Sequence, residues 1–184
     1  VARSLLGRRL VRVLDGERIS GRIVETEAYI GEDDEASHAS PGPTERNASM
    51  YLKAGHGYVY LIYGMYHCFN IVTERAGFPA AVLVRALEPL EGLEGMRKRR
   101  GAVGARSETE LTSGPGRLCQ ALAIDRGHDG IDLCAPDSPL FLEPGEPMGA
   151  RAVAVGPRVN VRGNRAAVQA PWRFRIDGNP HVSR

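Results

Sequence analysis

The chain has 184 residues, 42% hydrophobic and 25% charged, with a formal net charge of +2 at pH 7. This length and balance fit one globular domain over residues 1–184 with a sizeable core, and the small net charge alone says nothing about partners. Three cysteines without C-x-x-C spacing and five scattered histidines exclude a disulfide framework and a zinc finger. No apolar run reaches membrane length, so no metal, no other cofactor and no membrane contact are expected. The simplest compartment is a reducing one, the bacterial cytoplasm, or the nucleus if the source is eukaryotic.

A short helical turn is expected to end near Gly7. R-L-V-R-V-L, the turn pair Asp15-Gly16 and the run up to Tyr29 then predict a β-hairpin. Residues 31–57 are rich in Gly, Pro and charge and read as a long functional loop, with one helix around Arg46 to Lys53. A second hairpin is expected across Tyr63-Gly64-Met65, and A-A-V-L-V-R-A-L at 80–87 reads as a buried strand. Pro89 is read as opening a helix that ends in the basic R-K-R-R run after Met96. T-S-G-P at 112–115 opens another helix, and short strands follow near Leu140, Val153 and Phe174. The sum is an α+β domain on a curved, largely antiparallel sheet, with inserted helices and a protruding β-hairpin.

Charge is unevenly spread. From Arg151 onward there are seven arginines and one acid, Asp177. Such asymmetry can hide a basic face that attracts phosphate; solvated surface arginines are the plain alternative.

Two stretches concentrate chemistry. In R-I-V-E-T-E-A-Y, strand alternation sets Glu25, Glu27 and Tyr29 on one face, about 6.6 Å apart in sequence order. Paired acids at this spacing also allow a glycosidase reading. Arg85, inside a buried strand, needs an acidic partner, and Glu27 is the candidate; the pair is either a structural bridge or a grip on a water. In Y-V-Y-L-I-Y-G-M-Y, alternation sets Tyr58 and Tyr60 on one face, with Tyr63 at the hairpin tip. Aromatic rings suit a flat heteroaromatic ligand, and an exposed tip side chain suits a wedge between base pairs. Core packing is the expectation for Tyr58 and Tyr66.

These blocks, with D-E-A-S-H, R-N-x-x-M, V-L-V-R-A-L-E-P and S-G-P-x-R-L-C-Q-A-L, are collinear over nearly the whole chain. Together they resemble the alkyladenine (3-methyladenine) DNA glycosylase family. The resemblance implies a monofunctional repair enzyme that flips a damaged purine from duplex DNA. It implies Glu27 as the base for the attacking water, with Arg85 helping to hold that water. It also implies Tyr29, His38 and Tyr60 around the flipped base, Asn70 as the residue excluding normal guanine, and Tyr63 as the intercalating side chain. Departures from animal members at His67, around His181 and in the 97–110 loop bear on lesion preference. Arg46, Lys53, Arg97 and Arg117 are the candidate contacts to the DNA backbone. The only lysines, Lys53 and Lys98, match no catalytic position, so no Schiff-base lyase step is expected. A monomer is expected. A free-nucleoside hydrolase and a catalytically silent lesion-binding protein are the competing readings.

Overall fold

The computed structural model describes residues 1–101, 106–146, 149 and 152–183. The first hairpin joins β1 (Arg9–Leu14) to β2 (Glu17–Ile30). Asp15 (φ 51°) and Gly16 (φ 80°) both adopt the left-handed conformation that a two-residue hairpin turn requires.

Strand β2 is the spine. One of its edges carries β5 (Ala80–Glu91) along most of its length. Its other edge is shared: β1 occupies Glu17–Arg22, and β8 (Arg173–Ile176) takes over at Glu25–Glu27. Beyond β5 lie β4 (Tyr66–Val72) and β3 (Gly57–Ile62), the second hairpin. Strand β6 (Leu140–Glu143) pairs with β1, and β7 (Val153–Gly156) pairs with β8. Among the described residues all eight strands form one sheet, and every pairing is antiparallel.

Residue parity divides the two faces of this sheet. Val59, Phe69, Ile71, Val82, Val84 and Ala86 belong to the main core. That core includes Ala2 and Leu5 of α1 (Ala2–Leu5), Met96 of α2 (Leu93–Arg100) and Leu118 of α3 (Pro115–Ala121). Their neighbours of opposite parity, Tyr58, Tyr60, Cys68, Asn70, Leu83 and Arg85, line a cavity. A small second cluster of Ala39, Met50, Tyr58, Val72 and Ala81 anchors the 31–56 loop beside that cavity. Each inner strand thus stabilises the fold with one set of side chains and leaves the alternate set for chemistry.

Two predicted helices differ from the structure. Pro89 does not open a helix: β5 continues through it to Glu91, and α2 starts only after Gly92. Proline is tolerated there because β4 pairs with β5 only at Ala81–Leu83, leaving that edge of β5 without a ladder partner at position 89. Pro89 faces Gly21, where the β2–β5 register shifts and an added Cβ would meet Leu87 Cβ at 2.9 Å. The helix expected over Arg46–Lys53 is a single 3-10 turn, Ala48–Tyr51. Asn47 diverts the preceding backbone: its side chain accepts from Thr44 N–H (2.7 Å) and donates to His38 O (2.7 Å) and Gly42 O (2.9 Å). Helix α4 (Arg165–Gln169), capped by the Asn164 side chain, is an addition to the expected elements.

Candidate active site

The cavity on the polar face measures about 540 Å³, within the usual range for a small-ligand site. Strand β3 supplies Tyr58 and Tyr60, β4 supplies Cys68 and Asn70, β5 supplies Arg85, and β2 supplies Tyr29. His38 and Arg46 come from the long loop, Tyr63 from the hairpin tip, and Val159 to Arg162 from the loop after β7. The four residues expected around the base, Tyr29, His38, Tyr60 and Asn70, therefore converge from four separate segments.

Glu27 is fully buried behind this wall, and its oxygens meet only donors. Oε1 accepts from Val159 N–H (2.7 Å), while Oε2 accepts from Tyr29 Oη (2.8 Å) and Arg85 Nη1 (3.3 Å). All three partners line the cavity, so the carboxylate lies one hydrogen bond behind its surface. All three contacts are donors, so none of them offers an acceptor to a carboxyl proton.

Glu25, also fully buried, is tied differently. Its Oε1 accepts from Arg173 Nε (2.6 Å) and Arg85 Nε (3.2 Å), and its Oε2 from Ser183 N–H (2.7 Å). It lines neither the aromatic cavity nor the polar groove beside it. The expected partner of Arg85 is thus two partners. Burial alone would lower the Arg85 pKa, but the Glu27 and Glu25 carboxylates outweigh it and hold it above its ordinary value.

The aromatic wall is neutral. Burial, then the Glu27 charge and hydrogen bond, pushes the Tyr29 phenol far above its usual range. Burial does the same to Tyr58 and Tyr60, and it raises the Cys68 thiol to about 11. Tyr58 and Tyr60 lie 5.5 Å apart between centroids, and His38 meets Tyr60 edge-on at 4.4 Å. His38 Nδ1 and Tyr58 Oη share a hydrogen bond of 2.9 Å. Burial and the nearby Arg46 charge lower the His38 pKa, so the imidazole faces the cavity uncharged at neutral pH. Asn70 is anchored by its Nδ2 donating to Tyr58 O (3.1 Å).

Tyr58 is core, as expected, although it also lines the cavity. Tyr66 is not: it is 41% exposed, at the rim where Pro115 and Gly116 approach. Tyr63 is 79% exposed and held at φ 53°, a conformation that costs a bulky residue energy. Tip residue and strained backbone coincide, which favours a functional reason for the projection.

Beside the cavity runs a polar groove of about 840 Å³ that shares Tyr66, Arg85, Pro115 and Gly116 with it. Arg117 and Arg100 line this groove with Ser113, Thr109 and Glu110. Of the four backbone candidates, Arg46 sits at the cavity and Arg117 in the groove. Lys53 and Arg97 line neither, and each faces an acid, Asp132 at 4.0 Å and Glu108 at 3.4 Å.

The C-terminal arginines are partly internal struts, which the sequence does not reveal. Arg173 holds Glu25, and the buried Arg158 pairs with Asp34 through two bonds of 2.6 and 2.8 Å. The Arg158 guanidinium lies 4.7 Å from the Tyr29 ring centroid and 4.9 Å from that of Trp172, fixing the ring that carries the Glu27 contact. Arg151 and Arg184 lie outside the described residues, as do residues 102–105 of the divergent loop. Among the described residues no cluster of His, Cys, Asp or Glu could hold a metal, and no helix is long and apolar enough to cross a membrane.

The family described as Methylpurine-DNA glycosylase (MPG) matches residues 1–180. Relatives bearing the name "Putative 3-methyladenine DNA glycosylase" are similar from end to end. That of Methanocella arvoryzae is 50% identical over 184 residues, covering 100% of this chain and 90% of the relative. That of Anaeromyxobacter dehalogenans is 51% identical over 185 residues, covering 100% and 80%, and that of Bacillus cereus is 44% identical over 190 residues, covering 100% and 93%. With an aromatic cavity backed by a buried acid, a family match over nearly the full length and relatives this similar throughout, the chain belongs to the methylpurine-DNA glycosylase family.

Proposed function

We propose that the protein is a monofunctional DNA glycosylase acting as a monomer in base excision repair. It flips alkylated or deaminated purines out of duplex DNA and hydrolyses their N-glycosidic bond. The substrates are of the 3-methyladenine, 7-methylguanine, hypoxanthine and ethenoadenine class. One observation carries this reading: a buried carboxylate, met only by donors, directly behind an aromatic cavity of about 540 Å³.

In the proposed step, water attacks C1′ of the flipped nucleotide as the C1′–N9 bond breaks, and the purine leaves with the bonding pair. Glu27 takes the water's proton and stabilises the positive charge developing on the sugar. Water enters beside Oε2, where the long Arg85 contact of 3.3 Å lets Arg85 Nη1 and Glu27 share it. Tyr29 and Tyr60 stack on the base and His38 meets its edge. Asn70, anchored by its Nδ2, stands where the exocyclic amine of guanine would clash. Cationic methylpurines leave readily and bind electron-rich rings well; neutral lesions depend more on the ease of flipping. Tyr63 fills the vacated stack. Arg46 and Arg117 contact phosphates, with Lys53 and Arg97 as outer contacts.

Glu25 argues against a glycosidase with paired acids. Its oxygens are occupied by Arg85, Arg173 and Ser183 and do not line the cavity.

The test is incubation with duplexes carrying hypoxanthine, 1,N6-ethenoadenine or 7-methylguanine, followed by alkaline cleavage of abasic sites. Base release from duplex, with no borohydride-trapped adduct, supports the proposal. Release from free inosine alone would point to a nucleosidase, and lesion binding without release to a silent binding protein.

A further inference from the structure

Arg85 meets a third partner besides its two acids. Ser183 Oγ accepts from Nη2 (3.1 Å) and Nε (3.4 Å), the two donors on one edge of the guanidinium. The opposite end, Nη1, is the one that reaches Glu27. The backbone of the same serine is also engaged: its N–H donates to Glu25 Oε2 (2.7 Å), and its carbonyl accepts from Arg173 Nη2 (3.3 Å). The segment is pinned at its other end too, where Asn179 Nδ2 donates to Glu88 Oε2 on β5 (2.9 Å). Residues 179–183 therefore form a strap from Glu88 to Arg85.

We propose that Ser183 is a positioning residue for Arg85, an inference that rests on the catalytic reading of Glu27 and Arg85. A guanidinium is planar, and fixing one edge fixes where its remaining nitrogen points. Among the described residues, Ser183 Oγ is the only acceptor for Arg85 Nη2. Without that hydroxyl the Nη2 donors lose their partner, and the guanidinium turns towards Glu25, which already holds Nε. Nη1 then withdraws from Glu27 and from the water the two share. The serine touches no reacting atom; it acts by setting the angle of the arginine.

Ser183→Ala removes only the hydroxyl and keeps both backbone bonds, whereas Ser183→Thr restores a hydroxyl. Single-turnover base release from a saturating hypoxanthine duplex is expected to fall by up to about 10²-fold in the alanine variant, the order expected of a catalytic group misplaced by about 1 Å. Duplex affinity should stay unchanged, and threonine should recover the rate. An alanine variant that keeps the wild-type rate overturns the proposal. So does a loss of affinity at constant rate, since Ser183 also borders the polar groove and would then be a DNA contact. A rate lost together with thermal stability and not restored by threonine overturns it as well. The Arg85 Nε–Hε resonance, assigned with Arg85→Lys, gives a readout independent of activity. It should move in Ser183→Ala, and an unmoved signal refutes the positioning role even if no duplex proves to be a substrate. Failure of wild-type base release on all duplexes counts against the proposed function instead.

Discussion

Replacing Arg158 by methionine tests how the cavity is held together. Its side chain is fully buried against Asp34. Besides the two bonds to that carboxylate, it donates to Ala28 O (3.0 Å) and Ala167 O (3.0 Å). Methionine fills similar volume but strands a buried carboxylate and two carbonyls. Asp34 would retain only the Ile30 and Ala36 amides, at 3.4 and 3.1 Å. Breaking one side of a buried pair costs about 3–5 kcal/mol. For a chain of this size each kcal/mol lowers the melting temperature by about 2–4 °C, so the transition should drop by about 6–20 °C. Chemical denaturation of Arg158→Met, Asp34→Asn and the double variant reads the coupling directly. The double variant should be more stable than the sum of the two single losses implies. Additive losses, or a single-variant cost below about 1 kcal/mol, typical of exposed pairs, would refute the reading of Arg158 as an internal strut held by Asp34.

Other consequences are equally open to measurement. Because burial lowers the His38 pKa, the unfolded chain binds this proton more readily than the folded one. The stability due to neutral His38 is complete above about pH 6.5 and is lost as pH falls below it. The stability difference between wild type and His38→Asn should therefore shrink between pH 7.5 and 5.5 in denaturation curves; a flat difference would contradict the assignment. Tyr63→Ala should leave stability within about 0.5 kcal/mol, yet weaken lesion-duplex binding by about 1–3 kcal/mol, the usual value of a base–aromatic stack. Arg117→Gln should reduce the slope of log affinity against log salt by about one, as for the loss of one phosphate contact, across all sequences.

Local signals explain what was legible in the sequence. Asp15-Gly16 announces a turn whose φ values only such residues adopt easily, and alternation along β3 sets Tyr58 and Tyr60 on one face, whereas the unbroken apolar run at 80–84 of β5 gives no sign of which side faces the cavity. Arg85 stands out directly after that run as a charge that a buried strand tolerates only with an acidic partner, and Asn70 follows only from the family resemblance. Proline at 89 misleads because its usual meaning at a helix start ignores a strand edge that no neighbour uses. Arg158, Val159, Arg173 and Ser183 escape sequence reading because their partners lie more than 100 residues away or, for Ser183 and Arg85, 98 residues away. Nothing in P-R-V-N-V marks one arginine as a strut and the next amide as a carboxylate ligand. A clustered arginine count is therefore a poor measure of DNA-binding charge here: two of the seven are consumed inside the fold.

Substituting Glu27 by glutamine probes the heart of the account. The amide preserves shape, still accepts through one oxygen and removes the charge that Arg85, Tyr29 and Val159 converge upon. With lesion-duplex affinity measured alongside, base release under single turnover should fall by about 10²–10⁴-fold, the range for a lost general base, while binding persists. Release at the wild-type rate in Glu27→Gln would contradict the assignment of this carboxylate as the group that activates water.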